Sequence, residues 1–196
     1  RIGTAYAVIQ TIFICSPYLP TILFSQNDNA SLLMNSTVII GVLLGVGATF
    51  LLVKKVGSIW TYNVGIIGLG IGVVGLGCFG QKLEMFNIPF LLLIGASTSN
   101  AMIMVVDMIT AIIKDDLKRT QIPKEGIYFG VNGVLMRTSA GLSTVGIGFL
   151  LALGNSVSNP KGIMLSLIFS GVIGWIGVAI PTLIEIKKSE KDYSIK

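Results

Sequence analysis

The chain contains no histidine and only two cysteines, Cys15 and Cys78, each within an apolar segment. These absences exclude the usual zinc sites, a Ser-His-Asp triad and a disulfide framework. Charge is also scarce, since 12% of the residues are charged while 53% are hydrophobic. No nucleic-acid motif is present either. We therefore expect a protein that is not an enzyme and that has no resident cofactor and no nucleic-acid partner.

Long apolar segments and 24 glycines dominate what remains. Six segments approach or exceed the roughly 20 residues that a helix needs to cross a bilayer, and they cover residues 4–24, 32–53, 59–79, 88–113, 127–153 and 162–186. We predict an all-α membrane protein with six transmembrane helices in one domain, residues 1–196. Pro17 and Pro20 predict a kink in the first helix. Residues 187–196 are predicted to form a flexible, solvated tail.

The distribution of lysine and arginine predicts the topology, because these residues are enriched in cytoplasmic loops. Alternate links and the two ends of the chain hold eleven of these cations, and the remaining links hold Lys82 and Lys161. This asymmetry predicts a multi-pass protein of a plasma or inner membrane with both termini in the cytoplasm.

Arg137 is the only cation inside a predicted span. An arginine at that depth is costly unless it pairs, faces water or turns into a bundle, so it is the first candidate for function. Steps of three or four residues from Arg137 reach mainly glycines, which predicts a bare helix face. Such a face either packs closely against a second helix, which the glycines alone favour, or leaves open volume in front of the guanidinium, which the charge favours. In the preceding span, Asn100 and Asp107 lie seven residues apart and therefore on one face of a helix. Arg137 and Asn100 offer hydrogen bonds to a hydroxylated solute, and Asp107 offers a charge that can pair with Arg137.

An internal repeat is suggested by a loose match between the second and fifth spans. Residues 41–52 and 141–151 share a pattern of glycines followed by Phe-Leu-Leu. The two spans run in opposite directions in the predicted topology. The match therefore favours two inverted three-helix repeats, an arrangement common among transporters.

Several motifs resemble the glycoside-pentoside-hexuronide:cation symporter family, the melibiose permease-like branch of the major facilitator superfamily. They are the segment from Val105 to Asp107, the charged loop after it, the segment from Lys124 to Gly130, and a cation eleven residues into the next helix. The turn from Lys54 to Gly57 resembles the superfamily's basic loop between helices eight and nine. The resemblance implies that the six spans are the C-terminal six-helix half of a transporter. An N-terminal half would complete it.

The resemblance also implies roles for individual residues. Asp107 matches the first aspartate of the family's Asp-x-x-Asp pattern, whereas Thr110 occupies the second position. Arg137 stands where the family usually has lysine, and arginine does not lose its proton. Glu125, with Lys114 and Arg119 of the charged loop, would form a gate or loop charge network.

The implied activity is symport of a small solute, most simply a sugar, coupled to Na⁺ or H⁺ and working by alternating access, with membrane lipid around the domain. Two alternatives stay open. One is a major facilitator transporter of a drug, lipid or organic anion. The other is a six-helix channel or assembly subunit with Arg137 on a shared axis.

Overall fold

A computed structural model describes residues 2–24, 29–80, 84–156 and 158–194. Within these ranges the chain forms seven α-helices and no strand. The helices are α1 (Ile2–Cys15), α2 (Leu19–Leu23), α3 (Ala30–Val56), α4 (Ser58–Phe79), α5 (Glu84–Thr120), α6 (Glu125–Leu151) and α7 (Lys161–Ser194). We call the end of the bundle that carries Gly57 and the α5–α6 turn the inner end, and the opposite end the outer end.

Five of these helices, α3 to α7, are long and apolar enough to cross a membrane, and α1 is a shorter apolar helix. The fold is that of a helical membrane protein, as the composition predicts. The first predicted span is broken at residues 16–18 into α1 and α2. Pro17 has no N–H to offer the carbonyl of Phe13. The Ser16 hydroxyl donates to that carbonyl instead, at 2.8 Å.

The predicted charged loop before α6 is mostly helix, because α5 continues to Thr120. No glycine or proline interrupts residues 114–120. Asp115 pairs with Arg119 one turn later at 3.0 Å, and such a pair supports a helix. Gln121, with φ of 56°, ends α5 by donating its N–H to the carbonyl of Leu117 at 2.9 Å, as in a left-handed helix cap. At a rise of about 1.5 Å per residue, α5 is about 55 Å long.

The predicted tail also differs from the structure. Residues 187–194 continue α7 as far as Ser194, and residues 195–196 lie outside the described part of the chain. Charge marked this segment as solvated, but lysine and glutamate are good helix formers and nothing in it breaks a helix.

Helix α4 lies at the centre of the bundle, packed against α5 on one side and α7 on the other. Its glycines make both contacts possible. A Cβ atom on Gly72 or Gly75 would collide with side chains of α5, and one on Gly70 or Gly77 would collide with side chains of α7. Trp175 of α7 lies over Gly70 and donates its indole N–H to the carbonyl of Ile67 at 3.2 Å.

Helices α3 and α6 each pack against one main neighbour, α3 against α5 and α6 against α1. The α3–α5 contact is backbone to backbone, since a Cβ on Gly41 would lie 2.5 Å from the carbonyl oxygen of Leu92. Gly95 of α5 lies equally close to the backbone of Val38 and Val42. In α6, Ile147 is the one buried residue among those described.

The main packed pairs follow a pattern. If α1 is exchanged with α5, α3 with α6 and α4 with α7, the α3–α5 contact becomes α6–α1, and the α4–α5 contact becomes α7–α1. The α4–α7 contact maps onto itself, and α3–α4 maps onto α6–α7. The packing therefore has the same connectivity in the first and second halves of the chain.

The α3–α5 contact generates a stability prediction. Gly45→Ala places a methyl group against the backbone of Ala96, whereas Gly47→Ala on the same helix meets nothing within 4 Å. We expect Gly45→Ala to lower the free energy of unfolding by about 1–3 kcal/mol through overpacking, and Gly47→Ala to leave it unchanged or raised by up to about 1 kcal/mol. Thermal unfolding in detergent measures both, and equal effects would contradict the packing described.

Candidate functional site

Asn100 and Asp107 share one face of α5, as their spacing predicts, and this face is directed at α4. The side chain of Asn100 lies against Gly65, where a Cβ would come within 2.6 Å of Oδ1. Asp107 accepts a hydrogen bond of 2.5 Å from the hydroxyl of Ser58. Both residues therefore contact the central helix rather than α6.

Asp107 lies beside the first residue of α4. The hydrogen bond from Ser58 places a carboxylate at a helix N-terminus, where the helix dipole favours negative charge. Ser58 follows Gly57, whose φ of 81° makes the sharp turn between α3 and α4 and suits a residue without a side chain. The geometry supports a role for Asp107 in holding this turn against α5. A groove of about 520 Å³ surrounds it, lined mainly by Val56, Ile59, Trp60, Met108, Ala111 and Ile112.

Asn100 is 5% exposed, and its Oδ1 atom has no hydrogen-bond partner among the described residues. A buried acceptor without a donor is uncommon and costs about 1–3 kcal/mol. The absence of a side chain on Gly65 lets α4 approach this oxygen closely. Asn100 is thus enclosed in the α4–α5 interface.

Arg137 is exposed and makes no ion pair with any described residue. It lies on the bare face that its glycine neighbours predict, since a Cβ on Gly130, Gly133, Gly141 or Gly148 would meet nothing within 4 Å. The α1-facing side of α6 carries Ser139, which is two residues on and so about 160° around the helix. Arg137 therefore points away from the bundle, and Asp107, which faces α4, does not pair with it here.

Two ion pairs lie near the turn between α5 and α6, where the gate or loop charge network is predicted. Arg119 pairs with Asp115, and Lys124 pairs with Asp116 at 3.5 Å, which joins the end of α5 to the start of α6. Lys114 and Glu125 are exposed and belong to neither pair. The acidic partners are thus Asp115 and Asp116 of the last turns of α5, and not Glu125.

A cleft of about 330 Å³ lies between α5 and α6. Ile109 and Ile112 line it from α5, while Lys124, Tyr128 and Asn132 are its polar residues from the α6 side. The Asn132 amide and the Tyr6 hydroxyl of α1 lie within hydrogen-bonding distance, 3.3 Å between Nδ2 and the phenol oxygen. Sequence reasoning did not select Lys124 or Asn132. The signal was present, because residues spaced by four share one face of a helix.

Comparisons with known proteins place no family name on this arrangement. No family model, curated protein or solved structure matches the chain.

The contact between Asp107 and Ser58 can be measured with a double-mutant cycle. We expect Ser58→Ala and Asp107→Ala each to lower the stability of the folded bundle, and the double variant to lose less than the sum, with a coupling of about 1 kcal/mol. Asp115→Ala is the matched control, because it breaks only an exposed pair with Arg119. Such a pair is worth only about 0.3–0.5 kcal/mol. Strict additivity of the two losses would show that the Ser58–Asp107 contact does not stabilise the turn.

Proposed function

We propose that this chain is a six-helix domain of a major facilitator type secondary transporter, a cation-coupled symporter of a sugar or similar polyhydroxylated solute that works by alternating access. The observation that carries the proposal is the uncovered face of α6 with Arg137 at its middle. The resemblance in the segments around Asp107, Glu125 and Arg137 supports the same interpretation.

Contact with lipid alone would make Arg137 costly. It is the thirteenth of the 27 residues of α6. At about 1.5 Å per residue, about 20 Å of helix separates it from either end. A side chain so placed cannot readily reach a headgroup region, and an arginine at a helix centre costs about 2.5–3.5 kcal/mol on insertion scales. Water or another protein surface must therefore adjoin this face.

A solute pathway fits such a face. Gly130, Gly133, Gly141 and Gly148 leave open volume in front of the guanidinium, which offers five fixed N–H donors. We infer that a second six-helix domain, the N-terminal half in the family that the chain resembles, lies opposite α6 across a water-filled cavity. Membrane lipid surrounds the remaining apolar surface.

The packing pattern is also consistent with the proposed architecture. Two units of three helices that pack in the same way, and of which the second starts at the opposite side of the membrane, would be inverted repeats. The distribution of lysine and arginine places the inner end of the bundle and both termini on the cytoplasmic side of a plasma or inner membrane in this proposal.

The α5–α6 cleft suggests how a sugar could be held. Tyr128 supplies an aromatic ring, and Asn132 supplies an amide, a group that both donates and accepts hydrogen bonds. Lys124 adds a cation near the inner mouth. Arg137 would contribute donors from the adjoining face, and Na⁺ or H⁺ would be the coupling ion.

One observation favours a second candidate. Five of the eight residues that line the cleft are aliphatic, which suits an amphipathic solute such as a drug, a lipid or an organic anion with an apolar body. A channel or assembly subunit would instead bring several α6 faces together around one axis, and a symmetric oligomer would reveal it.

Solute uptake into proteoliposomes that contain the native full-length protein tests the proposal. With a panel of labelled glycosides and pentoses, we expect uptake driven by a sodium or proton gradient. Arg137→Ala should lower kcat/KM by about 10- to 150-fold, because a charged hydrogen bond to a solute is worth about 1.5–3 kcal/mol and the open face would lose its only charge.

Lys118→Ala provides the matched control, since Lys118 is an exposed cation near the end of α5 that belongs to neither ion pair and to no proposed network. It should retain uptake within about twofold. No sugar uptake under any gradient would contradict the sugar assignment, and uptake of an amphipathic solute would support the second candidate. Sugar uptake indifferent to Arg137→Ala would remove Arg137 from the pathway.

A further inference from the structure

The two halves of the bundle differ in how tightly they hold corresponding helices. Helix α3 interlocks with α5 through Gly41 and Gly45 on one side and Gly95 on the other, each against backbone. For the corresponding pair, α6 on α1, no described glycine of either helix meets the backbone of the other; a Cβ on Gly3 of α1 would lie 3.1 Å from the side-chain oxygen of Ser139.

A cavity of about 260 Å³ lies between α6, α1 and α7 on part of their contact surface. Its lining includes Thr11, Ser143, Ser166 and Ser170. Each of these hydroxyls donates to a carbonyl of its own helix at 2.7–2.9 Å. Their hydrogens are therefore not available to a ligand or to another helix. The other lining residues are Thr4, Ser139 and eight glycine or apolar residues, so the surface of the cavity is largely apolar.

Few directional contacts fix α6 in place. The Tyr6–Asn132 contact is a long hydrogen bond to α1, and the Lys124–Asp116 pair ties the inner end to α5. At the outer end, Gly162 donates its N–H to the carbonyl of Gly154 at 2.9 Å, which holds the turn to α7. Between these points α6 adjoins the cavity, so a displacement there breaks none of the four hydroxyl bonds.

We propose that α6 moves against α1 and α7 during the transport cycle, into the space of this cavity, while α3 stays fixed on α5. This inference rests on the proposed function only where it assigns the movement to a transport cycle. The movement itself can be measured separately. Because Arg137 lies on α6, the movement would change the position of that charge relative to a fixed α3–α5 frame.

Distances between spin labels test the movement without any solute. The background is a variant lacking Cys15 and Cys78. Nitroxides at Val145→Cys on α6 and Ile71→Cys on α4 measure the position of α6, and a second pair at Leu44→Cys and Ile71→Cys measures the position of α3. All three labelled positions are exposed. In proteoliposomes we expect two populations or one broad distribution for the α6 pair. The α3 pair should give one narrow distribution.

A second experiment fills the cavity with larger apolar side chains. Ser143→Leu with Ser170→Leu should collapse the α6 distribution to one population and raise the thermal midpoint by roughly 2–4 °C, because added apolar contacts replace empty space. Uptake should fall by about tenfold or more if the movement limits turnover. Ser143→Val, a smaller change, serves if the double variant overpacks the site.

A single narrow α6 distribution that the filling substitutions do not alter would overturn the inference. Two α6 populations in a protein that takes up no solute would support the movement while removing the proposed function. Uptake that persists at the wild-type rate in a filled, stabilised variant would show that transport does not use this cavity.

Discussion

The close packing of neighbouring helices over glycine is the constraint on which the bundle depends. Gly72 and Gly75 allow α4 to meet α5, and Gly70 and Gly77 allow it to meet α7. In a membrane, apolar burial gives little drive for helix association, so dense packing and interhelical hydrogen bonds must supply it. Two interhelical hydrogen bonds involve α4 at different levels: the Trp175 indole of α7 donates to the carbonyl of Ile67, and the Ser58 hydroxyl donates to Asp107 of α5. Helix α4 is thus the fixed axis of the domain.

The same constraint explains why α6 differs from α3. Gly41 and Gly45 of α3 face its neighbour α5, whereas four glycines of α6 that flank Arg137 face away from the bundle. Glycine in a helix interior costs about 1 kcal/mol relative to alanine. Four open glycines on one face of α6 are therefore a local destabilisation without a packing gain inside the described chain. A cation among them adds to that cost. Both observations are explained if this face lines a solute pathway.

Much of the fold could be predicted from the sequence, because hydrophobic length and glycine density act locally. The second to sixth spans correspond to α3 to α7, and Arg137 lies on a helix face of α6 bare of side chains, as its glycine neighbours predict. Charge was a poor guide to helix ends. The charged residues after residue 113 were predicted to form a loop, but α5 extends to Thr120, because ion pairs between residues i and i+4 stabilise a charged helix. The direction of Asp107 and Asn100 could not be predicted. Spacing fixes a common face, but only tertiary packing decides that the face meets α4 rather than α6.

The central claim is that the open face of α6 adjoins water within the membrane. A membrane-impermeant maleimide measures this directly in a variant lacking Cys15 and Cys78. The quantity compared is the rate of modification at Gly141→Cys on the open face of α6 and at Ile71→Cys on the exposed apolar face of α4. We expect modification at Gly141→Cys and none at Ile71→Cys, with prior addition of the transported solute slowing the reaction. An unreactive Gly141→Cys in folded, membrane-inserted protein would contradict the claim, because Arg137 would then face lipid or a dry interface.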